Sequence, residues 1–102
     1  EIMLVAYGTA ARIARTAVNK AREEGIKAGL FRPITVFPFP YPALAEAAKH
    51  VRRILVVELN AGQMLEDVRL VIQDRVPITF FGRMGGVVFL AEDVLEEIKK
   101  LM

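Results

Sequence analysis

The sequence predicts an α/β fold, a three-layer α/β/α sandwich built on a parallel sheet. Three observations lead there. Short apolar runs rich in β-branched residues alternate along the chain with longer amphipathic stretches. The run Ile54 to Glu58 is almost continuously apolar, which implies burial on both faces. The connections are short, and strand–helix alternation through short connections returns each strand parallel to the last.

The elements follow in order. The first strand is Met3 to Tyr7. Gly8 and Thr9 open the first helix, with Thr9 as its expected N-cap. Ile13, Ala14, Ala17, Val18 and Ala21 recur at helical spacing and make its buried face, and Gly25 is placed to end it. The second strand is expected from Ala28 to Phe37. Pro33 lacks a backbone donor, so this strand belongs at an edge or a bulge. In Phe37-Pro38-Phe39-Pro40-Tyr41-Pro42 each residue before a proline is pushed to extended geometry, and Pro42 suits the first turn of a second helix. That helix buries Leu44, Ala47, Ala48 and Val51. The third strand is Ile54 to Glu58, and Asn60-Ala61-Gly62 breaks the chain before a third helix. Its inner face is Met64, Leu65, Val68, Val71 and Ile72, with Leu70 off the stripe. The fourth strand is Ile78 to Phe81. A final helix, Glu92 to Leu101, carries Glu92 and Asp93 early and Lys99 and Lys100 late, in accord with the helix dipole. The expected strand order is 2-1-3-4, with the first and fourth helices on one face and the second and third on the other.

Composition bounds the function. A chain of 102 residues, 54% hydrophobic and 25% charged, makes one soluble domain, residues 1–102. It starts at Glu1 directly before a strand, which reads as a fragment of a longer subunit. The net charge of +2 is far from that of a nucleic-acid binder, and no apolar run approaches the roughly 18 residues of a membrane span. Cysteine and serine are absent, which excludes disulfides, cysteine-ligated clusters and the common nucleophiles within the chain. The single histidine, His50, is expected to face solvent.

Ligands of open parallel sheets favour the carboxyl ends of the strands. Gly8, Thr9 and Arg12 there offer an anion site at a helix N-terminus, or a plain capped turn. Phe39 and Tyr41 offer interface anchors, or rings tucked over the sheet edge. Glu58, Asn60, Gly62 and Gln63 place a carboxylate, two amides and a glycine after a central strand. They fix a partner or a small ligand, or Glu58 simply accepts backbone N–H bonds or pairs with an arginine while Asn60 caps the third helix. Arg83, in Gly82-Arg83-Met84-Gly85-Gly86, is a candidate salt-bridge donor to another subunit. No catalytic, cofactor or metal residue is assigned.

The order of Val5-Ala6-Tyr7-Gly8-Thr9-Ala10-Ala11-Arg12, Leu30-Phe31-Arg32-Pro33-Ile34-Thr35-Val36-Phe37-Pro38-Phe39-Pro40 and Val56-Val57-Glu58-Leu59-Asn60-Ala61-Gly62-Gln63-Met64 resembles the transketolase C-terminal-type domain. The version is that of 2-oxoacid:ferredoxin oxidoreductase α subunits. The Pro-Phe-Pro and Glu-x-Asn-x-Gly-Gln pieces are the specific ones, and the resemblance spans essentially the whole chain. It implies a cytoplasmic parent enzyme that decarboxylates a 2-oxoacid oxidatively with thiamine diphosphate and magnesium. Electrons then pass through iron–sulfur clusters to ferredoxin, and the acyl group goes to coenzyme A. The cofactors sit in other domains or subunits. The family's Gly-Asp-Gly motif is missing here, so this domain is expected to be organisational, packing on the pyrimidine-binding domain of its subunit and on other subunits. The family fold also has an antiparallel edge strand, for which there is little room before Ile2. Kept beside this reading are the C-terminal domain of a transketolase or 2-oxoacid dehydrogenase β type, and a stand-alone flavodoxin-like module. A receiver version of that module lacks its acidic residues after the first strand, and a flavin version lacks its hydroxyl-rich loop.

Overall fold

The computed structural model describes residues 2–33, 40–58, 63–82 and 90–102. Four strands, β1 (Ile2–Val5), β2 (Ala28–Phe31), β3 (Arg53–Glu58) and β4 (Ile78–Gly82), form one sheet in the order β2-β1-β3-β4. Every neighbouring pair is parallel: Leu4 lies opposite Leu30 on one side and Leu55 on the other, and Val56 lies opposite Phe80. The expected strand order therefore holds, with β2 at an edge.

Among the described residues four helices cover the sheet: α1 (Gly8–Glu23), α2 (Tyr41–Ala47), α3 (Gln63–Ile72) and α4 (Ala91–Lys100). A 3-10 turn, Ala48–His50, follows α2 and carries an exposed His50. Strand alternation sends Leu4, Leu55, Val57 and Phe81 into one core with α1 and α4. Met3, Val5, Ile54 and Val56 go into the other core with Leu44, Met64, Val68 and Ile72. This is the division of helices between faces that the sequence predicts.

The α1 face is built largely of alanine. Ala10, Ala11, Ala14, Ala17 and Ala21 are buried with Val18, and Ile13 packs at the margin. Gly25, at φ 86°, closes the helix. Its N–H donates to the Arg22 carbonyl and that of Ile26 to the Ala21 carbonyl, the double bond of a Schellman ending. Two ion pairs tie α1 to α4, Lys20 to Glu92 at 3.4 Å and Lys99 to Glu24 at 3.0 Å. At the far end of α3 the Arg75 side chain donates to the carbonyls of Val71 and Ile72 and covers the helix C-terminus. Leu70 is 68% exposed, as its place off the stripe requires.

Local expectations need correction in three places. α2 ends at Ala47, so Ala48 lies in the 3-10 turn and Val51, half-buried and extended, lies beyond it. β1 ends at Val5, and α1 starts at Gly8 with Tyr7 in the N-cap position. Thr9 lies inside the helix and does not cap it. Gly8 takes φ 61°, a turn sharp enough to bring the chain from strand to helix without a side-chain cap. β2 is described only to Phe31, and Arg32 and Pro33 leave the sheet. Its partner β1 ends at Val5, and the Ala6 N–H, donating to the Phe31 carbonyl at 3.2 Å, makes the last bond between them among the described residues. The rest of the expected second strand, residues 34–37, falls outside the described residues.

Candidate functional site

Strand order reverses between β1 and β3, so the carboxyl ends of these two strands mark the switch point of the sheet. On the β1 side lie Tyr7, Gly8 and Thr9, with Arg12 one turn along α1. Gly8, Thr9 and Arg12 are exposed. The first turn of α1 has no acidic residue, and no side chain caps it among the described residues. Its leading N–H groups and positive dipole end thus face the carboxyl edge.

Glu58 ends β3 and is the one charged residue found fully buried among the described residues, at 0% exposure. Burying a carboxylate is costly unless its oxygens are satisfied. Here both are: Oε1 accepts from the Met64 N–H at 3.1 Å and Oε2 from the Leu65 N–H at 3.0 Å. The side chain reaches from the end of the strand to the first turn of the following helix. It answers two orphan donors and sets a negative charge on the positive end of α3. Of the readings open for Glu58, the structure selects acceptance of backbone N–H bonds. The α3 N-terminus is thereby filled from within the protein.

Tyr41 opens α2 and is 41% exposed. Its hydroxyl donates to Asp67 Oδ1 of α3 at 2.7 Å. That hydrogen bond is the first cause that raises the phenol above its ordinary range, and the Asp67 charge adds to it. Asp67 escapes sequence reasoning because it lies off the apolar stripe of α3, and nothing local ties it to a residue 26 positions away. At α4 the Asp93 carboxylate accepts from the Leu90 N–H at 2.8 Å. Glu92 is held below the ordinary carboxylate range, first by a backbone N–H of its own residue and then by Lys20.

The structure therefore brings Gly8, Thr9, Arg12, Tyr41 and Glu58 to the carboxyl half of the domain. Phe39, Asn60, Gly62 and Arg83 lie outside the described residues, as does the side chain of Gln63, whose backbone opens α3. Among the described residues no group of three or more His, Asp or Glu side chains converges, and Glu58 has both its oxygens on the backbone. No helix among the described residues is long and apolar enough to cross a membrane.

Comparison with known proteins places this geometry. The ketoisovalerate oxidoreductase subunit VorB of Methanothermobacter thermautotrophicus is 46% identical over 101 residues, which cover 99% of this chain and 28% of that protein. The 2-oxoglutarate synthase subunit KorA of Methanothermobacter marburgensis is 36% identical over 98 residues, 96% of this chain and 26% of that protein. The chain thus spans about a quarter of the length of these relatives. Among solved structures, the 2-oxoglutarate:ferredoxin oxidoreductase of Magnetococcus marinus superposes with a TM-score of 0.87 at 20% identity, over 98% of this chain and 17% of that one. A split-gene transketolase superposes at 0.81, also at 20% identity, over 98% of this chain and 37% of that one. At that identity the two structures speak for the fold, which is the transketolase C-terminal type. The profile of the pyruvate:ferredoxin oxidoreductase core domain II family matches residues 1–94, and this chain belongs to that family.

Proposed function

We propose that this chain is the organisational and interface domain of the α-type subunit of a thiamine-diphosphate-dependent 2-oxoacid:ferredoxin oxidoreductase, with no complete active site of its own. The observation that carries the reading is Glu58. It is the buried carboxylate at the switch point, and both its oxygens are bound to the α3 backbone. In this state it is a structural acceptor, not a general acid or base. Residues 1–102 contain no cysteine, which supports leaving any thiolate ligation of clusters to other domains or subunits.

On this reading residues 1–102 are one domain of a longer cytoplasmic subunit. Its partners are the pyrimidine-binding domain of the same subunit and the other oxidoreductase subunits. Ferredoxin and coenzyme A meet the assembled complex. Gly8, Thr9, Arg12 and Tyr41 then belong to a carboxyl edge that faces the rest of the enzyme. The side of β2 away from β1 carries no strand among the described residues and is bordered by a cleft of about 540 Å³, which supports it as the place of the family's antiparallel edge strand. The 46% identity to a ketoisovalerate oxidoreductase subunit puts branched-chain 2-oxoacids first among substrates to assay.

The test is twofold. The full-length subunit, expressed with its partner subunits, is assayed for 2-oxoacid- and coenzyme A-dependent reduction of ferredoxin, and activity is expected. The 102-residue chain is titrated calorimetrically with thiamine diphosphate and magnesium, and no binding tighter than about 10 μM is expected. Tight binding by the isolated chain, or an assembled complex inert toward every 2-oxoacid, overturns the reading.

A further inference from the structure

Charged side chains three residues apart recur on the helices. From α2 into its 3-10 turn the pair is Glu46 and Lys49, and on α4 it is Glu97 and Lys100, opposite charges 3.1 and 3.2 Å apart. On α1 the pair is Arg12 and Arg15, both exposed and of like sign. Like charges at this spacing repel, and the positive end of the helix is the nearer one. Arg15 lies two turns before Arg22, which reaches β2 and donates to the Ala28 carbonyl, so Arg15 is on the β2 side of α1. β2 adds a third arginine. Leu30 packs toward α1 and Phe31 toward α2, and the exposed Arg32, held extended by the proline after it, returns to the α1 side at the end of the strand. Among the described residues none of these three side chains makes a hydrogen bond or an ion pair. Lys20, Arg22 and Lys27 have contacts of their own and stand outside the group. The chain supplies no acid beside the three. Residues 2–22, 25–45, 59–65 and 83–91 contain no Asp or Glu. Carboxylates at the carboxyl edge are engaged: Glu58 by the α3 backbone, Asp67 by Tyr41, Glu92 by Lys20 and Asp93 by the Leu90 N–H. Glu66 belongs to α3, on the opposite face of the sheet.

We propose that Arg12, Arg15 and Arg32 form a docking face for an acidic surface of a neighbouring subunit. Charge complementarity argues for the acidic partner, because a face of one sign attracts the other and rejects its own. Carboxylates set between Arg12 and Arg15 relieve a repulsion that the domain by itself leaves standing. The residue type agrees. The ion pairs made within the domain by Lys20, Lys49, Lys99 and Lys100 use lysine, whereas this face uses arginine, whose planar fork takes a carboxylate through two parallel hydrogen bonds. The outer side of a helix is convex, which suits a protein surface over a small anion, since small ligands are held in concave sites. A net charge of +2 argues against a nucleic acid. The inference rests on the reading above only for the source of the partner.

The experiment uses the full-length subunit with its partner subunits. Arg12→Lys and Arg15→Lys each place an amine on this face, and zero-length carbodiimide coupling joins an amine to a carboxylate in contact with it. A link from the new lysine to an Asp or Glu of another subunit is expected. Arg69→Lys, at an exposed position on α3, is expected to give none. In parallel, Arg15→Glu is expected to weaken association of the subunits about fivefold at low salt, with Arg15→Gln between it and the wild type and Arg69→Glu without effect. The melting temperature of the free full-length subunit is expected to move the other way, with Arg15→Glu at or above the wild type, because the reversal removes the repulsion within α1. That opposite movement separates lost docking from lost folding, and Arg15→Gln keeps the test open if Arg15→Glu does not fold. The wild-type affinity is expected to fall as salt rises from about 50 to 500 mM, and that of Arg15→Glu to fall less steeply. No link to another subunit from either lysine variant, a link only to its own polypeptide, or equal association of Arg15→Glu and the wild type overturns the inference and leaves the proposed function standing. If the wild-type subunits do not assemble at all, the proposed function fails and this inference with it.

Discussion

On one face of the sheet, α1 meets the strands through small side chains, with five buried alanines along it, and α4 adds Val94 and Ile98. On the other, α2 and α3 meet them through Leu44, Met64, Val68 and Ile72. The first arrangement needs no internal polar contact. Alanine lets a helix lie close to the strands, and its tie to α4 is made by exposed ion pairs. The second face is pinned by polar contacts at the carboxyl edge, where Glu58 holds the first turn of α3 and Tyr41 joins α2 to Asp67. The difference teaches where specificity is stored. A long alanine-faced helix is positioned by shape along its whole length. A seven-residue helix such as α2, followed by a 3-10 turn, has little length to position it and depends on point contacts.

The largest effect expected of a single change lies at Glu58. Glu58→Ala strands two N–H groups in a buried site and should cost about 3 kcal/mol, while Glu58→Gln keeps one acceptor and should cost about half that. Acetate at high concentration should restore part of the stability of Glu58→Ala by entering the vacated space, read as a rise in melting temperature absent from the wild type. A neutral Glu58→Ala would mean that the α2/α3 face is held by its apolar contacts alone, and the contrast between faces would collapse. In the full-length subunit the same change should weaken assembly more than it lowers the melting temperature of the domain. Equal losses in both would make Glu58 a purely local residue.

The α1 face should respond to shape. Ala14→Leu inserts three carbons where the exposure is 0% and should cost about 1–3 kcal/mol. Met64→Leu on the opposite face conserves volume and should cost less than about 1.5 kcal/mol. Denaturant unfolding of the pair measures this directly, and the reverse ranking would show that the alanine face is loosely packed.

Smaller effects sharpen the polar side of the comparison. Tyr41→Phe should lower the melting temperature slightly at neutral pH. Folding raises the phenol, so the contribution of Tyr41 is fully present below its ordinary value and is lost as pH rises through the elevated one. The gap between the wild type and Tyr41→Phe should therefore narrow in strong alkali. The smallest effect belongs to the α1–α4 pair. Glu92 is held below its ordinary range, so its contribution is present above that range and is lost as pH falls through the depressed value. Glu92→Gln should erase this acid-side dependence and change little at neutral pH, since exposed ion pairs contribute little.

Much of this architecture is written in the sequence. The apolar run Ile54 to Glu58 announces a central strand, the alanine spacing of α1 its buried stripe, and Gly25 the end of that helix. These are legible because burial imposes a period and a left-handed turn favours glycine, and both are local constraints. The order of strands follows as well, since the handedness of crossovers leaves few arrangements. The tertiary structure alone decided that Thr9 lies within α1 and not at its cap, that β2 stops when its partner stops, that Glu58 takes two backbone amides, and that Tyr41 meets Asp67. Each depends on which groups arrive beside one another after the chain has folded, and a carboxylate carries no mark in the sequence of the donors it will meet.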